Sequence, residues 1–267
     1  MYSKKKKIAT KFRNEKIYFI GAGPGDPELL TIKGKRILGI SDMVIYAGSL
    51  IDRHILKFGK KDALFYDSSG MALEEVIDVF KEGKSSKKIV SRLHSGDPSI
   101  YGAIQEETDW CKKEGIPYEI IPGVSSLFAA AASLKRELTL PGITQTVIIT
   151  MMTGRTDVPE KEELSRLAKI NATLAIFLSI DKINDIVKSL LSGYDKSTPA
   201  VCVFRATWPD EKIIKGTLED IAPKVKKEKI KRQALILVGK ALGEESYEKS
   251  KLYSSAFSHS FRIAKNL

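Results

Sequence analysis

Residues 17–27 read Ile17-Tyr18-Phe19-Ile20-Gly21-Ala22-Gly23-Pro24-Gly25-Asp26-Pro27, an apolar run that breaks into a turn rich in glycine and proline. A helical pattern follows over residues 28–39, with Leu29, Leu30, Ile32, Ile37 and Leu38 at helical spacing and Gly39 as its stop. Strand, glycine turn and helix start in succession form the opening unit of an open α/β sheet, where ligands bind beyond the carboxyl ends of the strands. Glycines let the backbone come close to a ligand, and a helix start exposes N–H groups. A dinucleotide fingerprint begins the same way. Here, however, Pro24 and Pro27 remove two N–H donors that a pyrophosphate needs. The next strand, residues 43–46, runs into Ala47-Gly48-Ser49 where a nicotinamide-binding fold wants an acid for the ribose. The turn is therefore shaped for another ligand.

A second turn repeats the first. The strand over residues 88–93 leads into His94-Ser95-Gly96-Asp97-Pro98-Ser99-Ile100-Tyr101-Gly102, and a helix is expected over residues 99–114. Gly-Asp-Pro thus stands at two strand-to-helix junctions, residues 25–27 and 96–98. Parallel strands bring all such junctions to one edge of a sheet, so the two turns are expected to line one crevice. Asp at an N-cap with Pro after it is also simply a good helix start. The matching glycines favour a shared ligand site over capping alone. A fifth strand, residues 117–121, ends in Pro122-Gly123-Val124-Ser125-Ser126 and enters an alanine-rich helix.

Beyond this point the repeated βα pattern changes. Strands are expected over residues 146–150, 173–180, 199–207, 212–216 and 233–242, with helices over 160–169, 182–191 and 218–229. Trp208-Pro209-Asp210 suits a hairpin between two of these strands. The chain divides into a basic arm at 1–15, an α/β lobe at 16–123, a second α/β lobe at 124–243 and an extension at 244–267. In the extension, Tyr253, Phe257 and Phe261 recur every four residues, the spacing of a docking helix.

Composition narrows the function. The 267 residues carry a formal charge of +11, of which residues 1–16, with seven bases and one acid, supply +6. Such an arm reads as a solvated, disordered tail, and the mildly basic remainder suits an acidic small-molecule substrate. No apolar run approaches the ~20 residues of a membrane span, and the Lys-rich start lacks the apolar core of a secretory signal. Cys111 and Cys202 have neither CxxC partners nor His-rich surroundings, which fits a reducing cytoplasm and no metal site. His94 reads as a residue that hydrogen-bonds locally, Trp110 and Trp208 as packing residues, and residues 224–231 as a solvated helix face.

Taken together, the turns at 21–27, 92–102 and 121–126 resemble those of the tetrapyrrole (corrin/porphyrin) methyltransferases. Tyr46-Ala47-Gly48-Ser49-Leu50, Thr153-Gly154-Arg155-Thr156 and Tyr253-Ser254-Ser255-Ala256-Phe257-Ser258-His259 narrow the resemblance to the branch that methylates carbon 11. The resemblance covers residues 16–260. It implies two α/β lobes with the active site in the cleft between them, S-adenosylmethionine as methyl donor, S-adenosylhomocysteine as product, and a homodimer. It implies methylation of cobalt-precorrin-4 or precorrin-4, an acidic tetrapyrrole, in cobalamin biosynthesis.

Carried onto this chain, the resemblance assigns the cofactor to Pro24, Ser95, Gly96, Asp97, Ile100, Tyr101, Ser125, Ser126, Leu178 and Ala206. The substrate is assigned to Gly23, Gly25, Asp26, Tyr46, Gly48, Ser49 and Arg155. Asp26, Tyr46 and Asp97 are the candidates for catalytic roles. Methyl transfer from a sulfonium asks the protein mainly to align donor and acceptor and to exclude water, which agrees with the lack of a nucleophilic triad. A substrate bearing carboxylates wants a fork-shaped cation, and Arg155 is the first choice. The chain departs from the family at Met151, where arginine is usual.

Three rivals remain open at this level. A methyltransferase of the same fold acting on another tetrapyrrole, on RNA or on protein draws support only from the basic arm. A nicotinamide-dependent oxidoreductase is opposed by the missing acid after Tyr46. A non-catalytic ligand-binding module would follow from changes such as Met151.

Overall fold

The computed structural model describes residues 16–154, 156–243, 247–250 and 253–264. The basic arm and Arg155 lie outside the described residues. The chain divides into two compact units between Ser126 and Leu127.

The first unit is built on β1 (Ile17–Gly21), β2 (Met43–Tyr46), β3 (Leu64–Asp67), β4 (Val90–His94) and β5 (Tyr118–Ile121), with α1 (Ile32–Leu38), α2 (Leu73–Ser85) and α3 (Gln105–Lys113) between them. All strand pairs are parallel, in the order β3-β2-β4-β1-β5. Alternation along the strands explains the two layers. Tyr18, Ile20, Val44 and Leu93 pack with Ile37 and Leu38 of α1, whereas Phe19, Ile45 and Val90 pack with Val76, Val79 and Phe80 of α2 and Cys111 of α3. Phe19 and Leu93 are fully buried, each contributing about 2 kcal/mol by area.

Two helix starts fall later than expected. Residues 27–29 form only a 3-10 turn, and α1 begins after Thr31, whose Oγ1 accepts the Gly34 N–H at 3.1 Å. The helix expected from residue 99 begins at Gln105, because Tyr101 and Ala103 both take left-handed backbone at φ +51° and interrupt any helix there.

The second unit carries α4 (Ser126–Leu134), β6 (Val147–Met151), α5 (Leu164–Leu167), β7 (Thr173–Phe177), α6 (Ile183–Leu190), β8 (Pro199–Phe204), β9 (Lys212–Thr217), α7 (Ile221–Lys227) and β10 (Ala234–Val238). Its sheet runs β6-β7-β10-β8-β9, with only the β6–β7 pair parallel. Leu127 and Ala130 of α4 pack on Ala175, Val201, Val203, Leu235 and Leu237. The alternate side chains Leu174, Ile176, Cys202 and Ile236 pack on Leu164, Ile183, Ile186, Ile221 and Val225 of the other three helices. The expected hairpin is present as β8–β9. The helix expected over 160–169 is instead a 3-10 turn at Glu160–Glu162, the short α5 and a second 3-10 turn at Ala168–Ile170. No α-helix forms among the described residues 253–264; His259 and Arg262 form an isolated bridge, and the four-residue aromatic spacing has no helical counterpart. Among the described residues no helix is long and apolar enough to cross a membrane.

Candidate active site

The carboxyl ends of β1, β4 and β5 carry three turns that are bonded to one another. The Gly96 N–H donates to the Gly23 carbonyl at 2.8 Å, the Gly23 N–H returns to Gly96 at 3.2 Å, and the Ala22 N–H reaches the His94 carbonyl at 2.8 Å. The two Gly-Asp-Pro turns therefore sit side by side. Glycine is required here by backbone packing: a Cβ on Gly21 would lie 2.5 Å from the Gly123 Cα, and one on Gly123 would collide with the Gly96 carbonyl.

The two aspartates of these turns do different things. Asp26 accepts the Glu28 N–H at 2.8 Å and caps the 3-10 turn. Asp97 caps no α-helix. Its Oδ1 accepts the Ser99 N–H at 2.9 Å and the Ser99 hydroxyl at 2.5 Å, while its Oδ2 accepts the Gly123 N–H at 2.8 Å. Burial pushes its pKa up, but these donors outweigh burial and hold it below the usual carboxylate range. Pro24 and Ser125 are buried, Ser95 and Tyr101 exposed, and Ile100 and Ser126 half-buried.

His94 closes the turn that follows β4. Its Nδ1 lies 3.0 Å from the Gly102 carbonyl, as a local hydrogen bond predicts. Burial, reinforced by the Arg92 guanidinium, pushes the imidazole pKa down to about 3 against the effect of that bond.

The turn after β2 is held by side chains outside the set that the resemblance assigns. Asp67 accepts the Gly48 N–H at 3.0 Å and the Ser69 N–H at 3.0 Å, takes the Ser69 hydroxyl as well, and pairs with Arg53 at 3.2 Å. These donors, the Ser69 hydroxyl first, hold its carboxyl at about 2. A Cβ on Gly48 would lie 2.7 Å from the Asp67 Cγ. The Ser68 hydroxyl donates to the Tyr46 carbonyl at 3.2 Å and accepts from Arg92 at 2.8 Å. Arg92 in turn pairs with the buried Glu107 at 3.2 Å. An Asp-Ser-Ser run after a strand is the signal for the first of these anchors, and an arginine inside an apolar strand for the second. Tyr46 is buried, and Gly25 and Asp26 are half-buried.

In the second unit, one residue assigned by the resemblance has left-handed backbone and another lies between two such residues. Leu178 is 67% exposed with φ +54°, and Ala206 lies between Arg205 at φ +49° and Thr207 at φ +69°. Left-handed backbone at a leucine and at a β-branched threonine is uncommon and persists where surrounding contacts impose it. Glu211 supplies part of that constraint, accepting the Thr207 N–H at 2.6 Å and the Ser133 hydroxyl at 2.9 Å. Arg205 lies 4.6 Å over the Trp208 ring and pairs with Asp210 at 2.8 Å. Trp110 packs against Phe80 at 6.0 Å. Met151 ends β6, paired with Phe177, and the Lys182 ammonium holds the Thr153 carbonyl at 2.5 Å in the following loop.

Neither cysteine takes part. Cys111 and Cys202 are buried and unpaired with each other, and burial pushes their thiols up to about 11 and about 12. Among the described residues no cluster of His, Cys, Asp and Glu has the makings of a metal site.

The family model of the tetrapyrrole (corrin/porphyrin) methylases matches residues 16–222. The chain belongs to that family. It is 56% identical over 250 residues to the cobalt-precorrin-4 C(11)-methyltransferase of Methanocaldococcus jannaschii, an alignment spanning 93% of this chain and 96% of that protein. Among solved structures of the tetrapyrrole methylases, a cobalamin biosynthetic enzyme, cobalt precorrin-4 methyltransferase, superposes with a TM-score of 0.84 at 45% identity, covering 86% of this chain and 97% of that one. The uroporphyrin-III C-methyltransferase of Thermus thermophilus in complex with S-adenosylhomocysteine gives a TM-score of 0.71 at 29% identity, covering 85% and 93%.

Proposed function

We propose that this tetrapyrrole methylase is an S-adenosylmethionine-dependent methyltransferase that places a methyl group on carbon 11 of cobalt-precorrin-4 in cobalamin biosynthesis. The observation that carries the cofactor assignment is the likeness to a methyltransferase solved with S-adenosylhomocysteine, and left-handed backbone at two of the ten residues assigned to the cofactor, Tyr101 and Leu178, is consistent with it. Tyr101, Leu178 and both neighbours of Ala206 have positive φ. Four of the other left-handed non-glycine residues, Lys87, Lys135, Asn171 and Lys229, stand just beyond helical turns, where such backbone is ordinary.

The residues fit this cofactor. S-adenosylmethionine carries no phosphate, so turns that lack N–H donors at Pro24, Pro27 and Pro98 are suited to it. The exposed face of Tyr101 (44%) offers apolar surface to an adenine. When bound, the cofactor supplies an electrophilic methyl on a sulfonium; the carbon–sulfur bond breaks with its electron pair retained by sulfur, leaving S-adenosylhomocysteine. Pro24, Ser95, Gly96, Asp97, Ile100, Ser125 and Ser126 complete the proposed cofactor set. Gly23, Gly25, Asp26, Tyr46, Gly48 and Ser49 are proposed to face the tetrapyrrole. Both oxygens of Asp97 also accept protein donors, so beside the cofactor it holds the backbone of the turn, and no proton transfer is asked of it. Homodimeric assembly and a cytoplasmic location belong to the same reading and rest on the resemblance.

The cobalt-bearing substrate is favoured by the identity to the Methanocaldococcus jannaschii enzyme. Incubation with methyl-labelled S-adenosylmethionine and either cobalt-precorrin-4 or cobalt-free precorrin-4 tests it. Label is expected in the cobalt complex at the higher rate. No label in either tetrapyrrole, from protein that binds S-adenosylhomocysteine, overturns the reading.

A further inference from the structure

We propose that His94 is a positioning residue, whose Nδ1–H holds the Gly102 carbonyl and so sets the left-handed backbone that presents Tyr101 to the cofactor. The inference rests on the assignment of the turn at residues 95–101 to S-adenosylmethionine.

His94 is the last residue of β4, the middle strand of the first sheet, and is 6% exposed. Its ring lies 5.9 Å from that of Phe19. A carbonyl only accepts hydrogen bonds, so the 3.0 Å contact with Gly102 places the ring proton on Nδ1. Nε2 then keeps a bare lone pair, and it is buried with no hydrogen-bond partner among the described residues. Burying an unpaired polar atom costs stability. A leucine or phenylalanine would fill this space beside Phe19 without that cost. What the imidazole adds is the bond to Gly102.

The segment at the other end of that bond needs holding. Tyr101 and Ala103, on either side of Gly102, both have φ +51°. The turn is wound so tightly that a Cβ on Gly102 would lie 2.9 Å from the Pro98 carbonyl carbon. Two left-handed non-glycine residues in three positions persist only where contacts over-determine the backbone. A hydrogen bond from the end of a central strand is such a contact, and its geometry fixes where the exposed Tyr101 side chain stands.

Substitutions at His94 in the full chain separate this role from packing. His94→Leu removes the donor; His94→Asn keeps an N–H near the position of Nδ1. With S-adenosylhomocysteine as probe in calorimetry, H94L is expected to bind about tenfold more weakly or worse, as misplacement of a binding group does. In turnover, KM for S-adenosylmethionine is expected to rise while kcat at saturating cofactor changes much less. H94N is expected to recover most of the affinity. Wild-type affinity in H94L, or equal weakness in H94L and H94N, overturns the proposal.

Tyr101→Ala distinguishes the two levels of the argument. If Y101A binds S-adenosylhomocysteine as wild type does, the assignment of the turn fails and the role of His94 falls with it. If Y101A binds weakly and H94L normally, the role of His94 fails alone. Should H94L not fold, nitrogen-15 spectra of the wild-type imidazole decide. The Nδ1–H tautomer, with a resonance that moves on adding S-adenosylhomocysteine, supports the proposal; the Nε2–H tautomer or an unmoved resonance contradicts it.

Discussion

The carboxylate of Asp97 accepts the backbone N–H of Gly123 at 2.8 Å, which ties the turn after β4 to the turn after β5. A residue expected to cap a helix or touch a cofactor thus spends both oxygens on protein backbone and on Ser99. Asp97→Ala leaves the N–H groups of Ser99 and Gly123 without their acceptor. Unfolding free energy is expected to fall by about 1–3 kcal/mol, with weaker binding of S-adenosylhomocysteine. Denaturant melts and calorimetry on the same preparation read both; wild-type values in each would remove Asp97 from the architecture of the site.

Gly123→Ala tests the packing of the three turns. The added methyl would meet the Gly96 carbonyl and the Gly21 Cα, the latter at 2.7 Å, and all of these are backbone atoms that no rotamer change relieves. A loss of about 3 kcal/mol or more is expected in urea melts. A loss below about 0.5 kcal/mol, the scale of an ordinary surface change, would mean that the turns separate easily.

Much of this arrangement was legible in the sequence, and the reasons differ from feature to feature. Short continuous apolar runs such as residues 17–20 and 43–46 identify the strands, because their side chains face two covered layers. The paired Gly-Asp-Pro turns announced a common sheet edge. Gly21 and Gly123, by contrast, are needed because their backbones pass against each other and against the Gly96 carbonyl, while Gly96 itself takes left-handed backbone at φ +64°. Contact between turns that are distant in sequence has no local signature. The late start of α3 was hidden for a similar reason: nothing in Ile100-Tyr101-Gly102-Ala103 declares left-handed backbone at Tyr101 and Ala103, which tertiary contacts impose. Asp67 and Glu211 anchor two other turns through backbone N–H groups that only the folded chain brings within reach.

Asp67 offers a separate handle on the substrate side. Asp67→Ala frees the Gly48 and Ser69 N–H groups and the Arg53 partner, so the turn that carries Gly48 and Ser49 loses its anchor. Steady-state kinetics are expected to show KM for the tetrapyrrole rising about tenfold. Affinity for S-adenosylhomocysteine should stay within about twofold. The reverse pattern would move this turn to the cofactor side.

The pH dependence of stability has a defined sign. His94 titrates near 3 when folded and near its ordinary value of about 6.5 when unfolded, so between these values the unfolded chain binds the extra proton. Stability from this residue is complete above about pH 7.5 and declines as pH falls. At pH 5 the loss is about 2 kcal/mol. Comparing the stability of wild type and His94→Asn across pH 5–8 isolates the contribution; parallel curves would contradict the neutral, buried imidazole.

The most direct test of the account is the position of the transferred carbon. With carbon-13 methyl S-adenosylmethionine and cobalt-precorrin-4, the account predicts one labelled methyl per tetrapyrrole, bonded to carbon 11 in the product spectrum. A labelled methyl on any other carbon, or S-adenosylhomocysteine formed with no label in the tetrapyrrole, would contradict it.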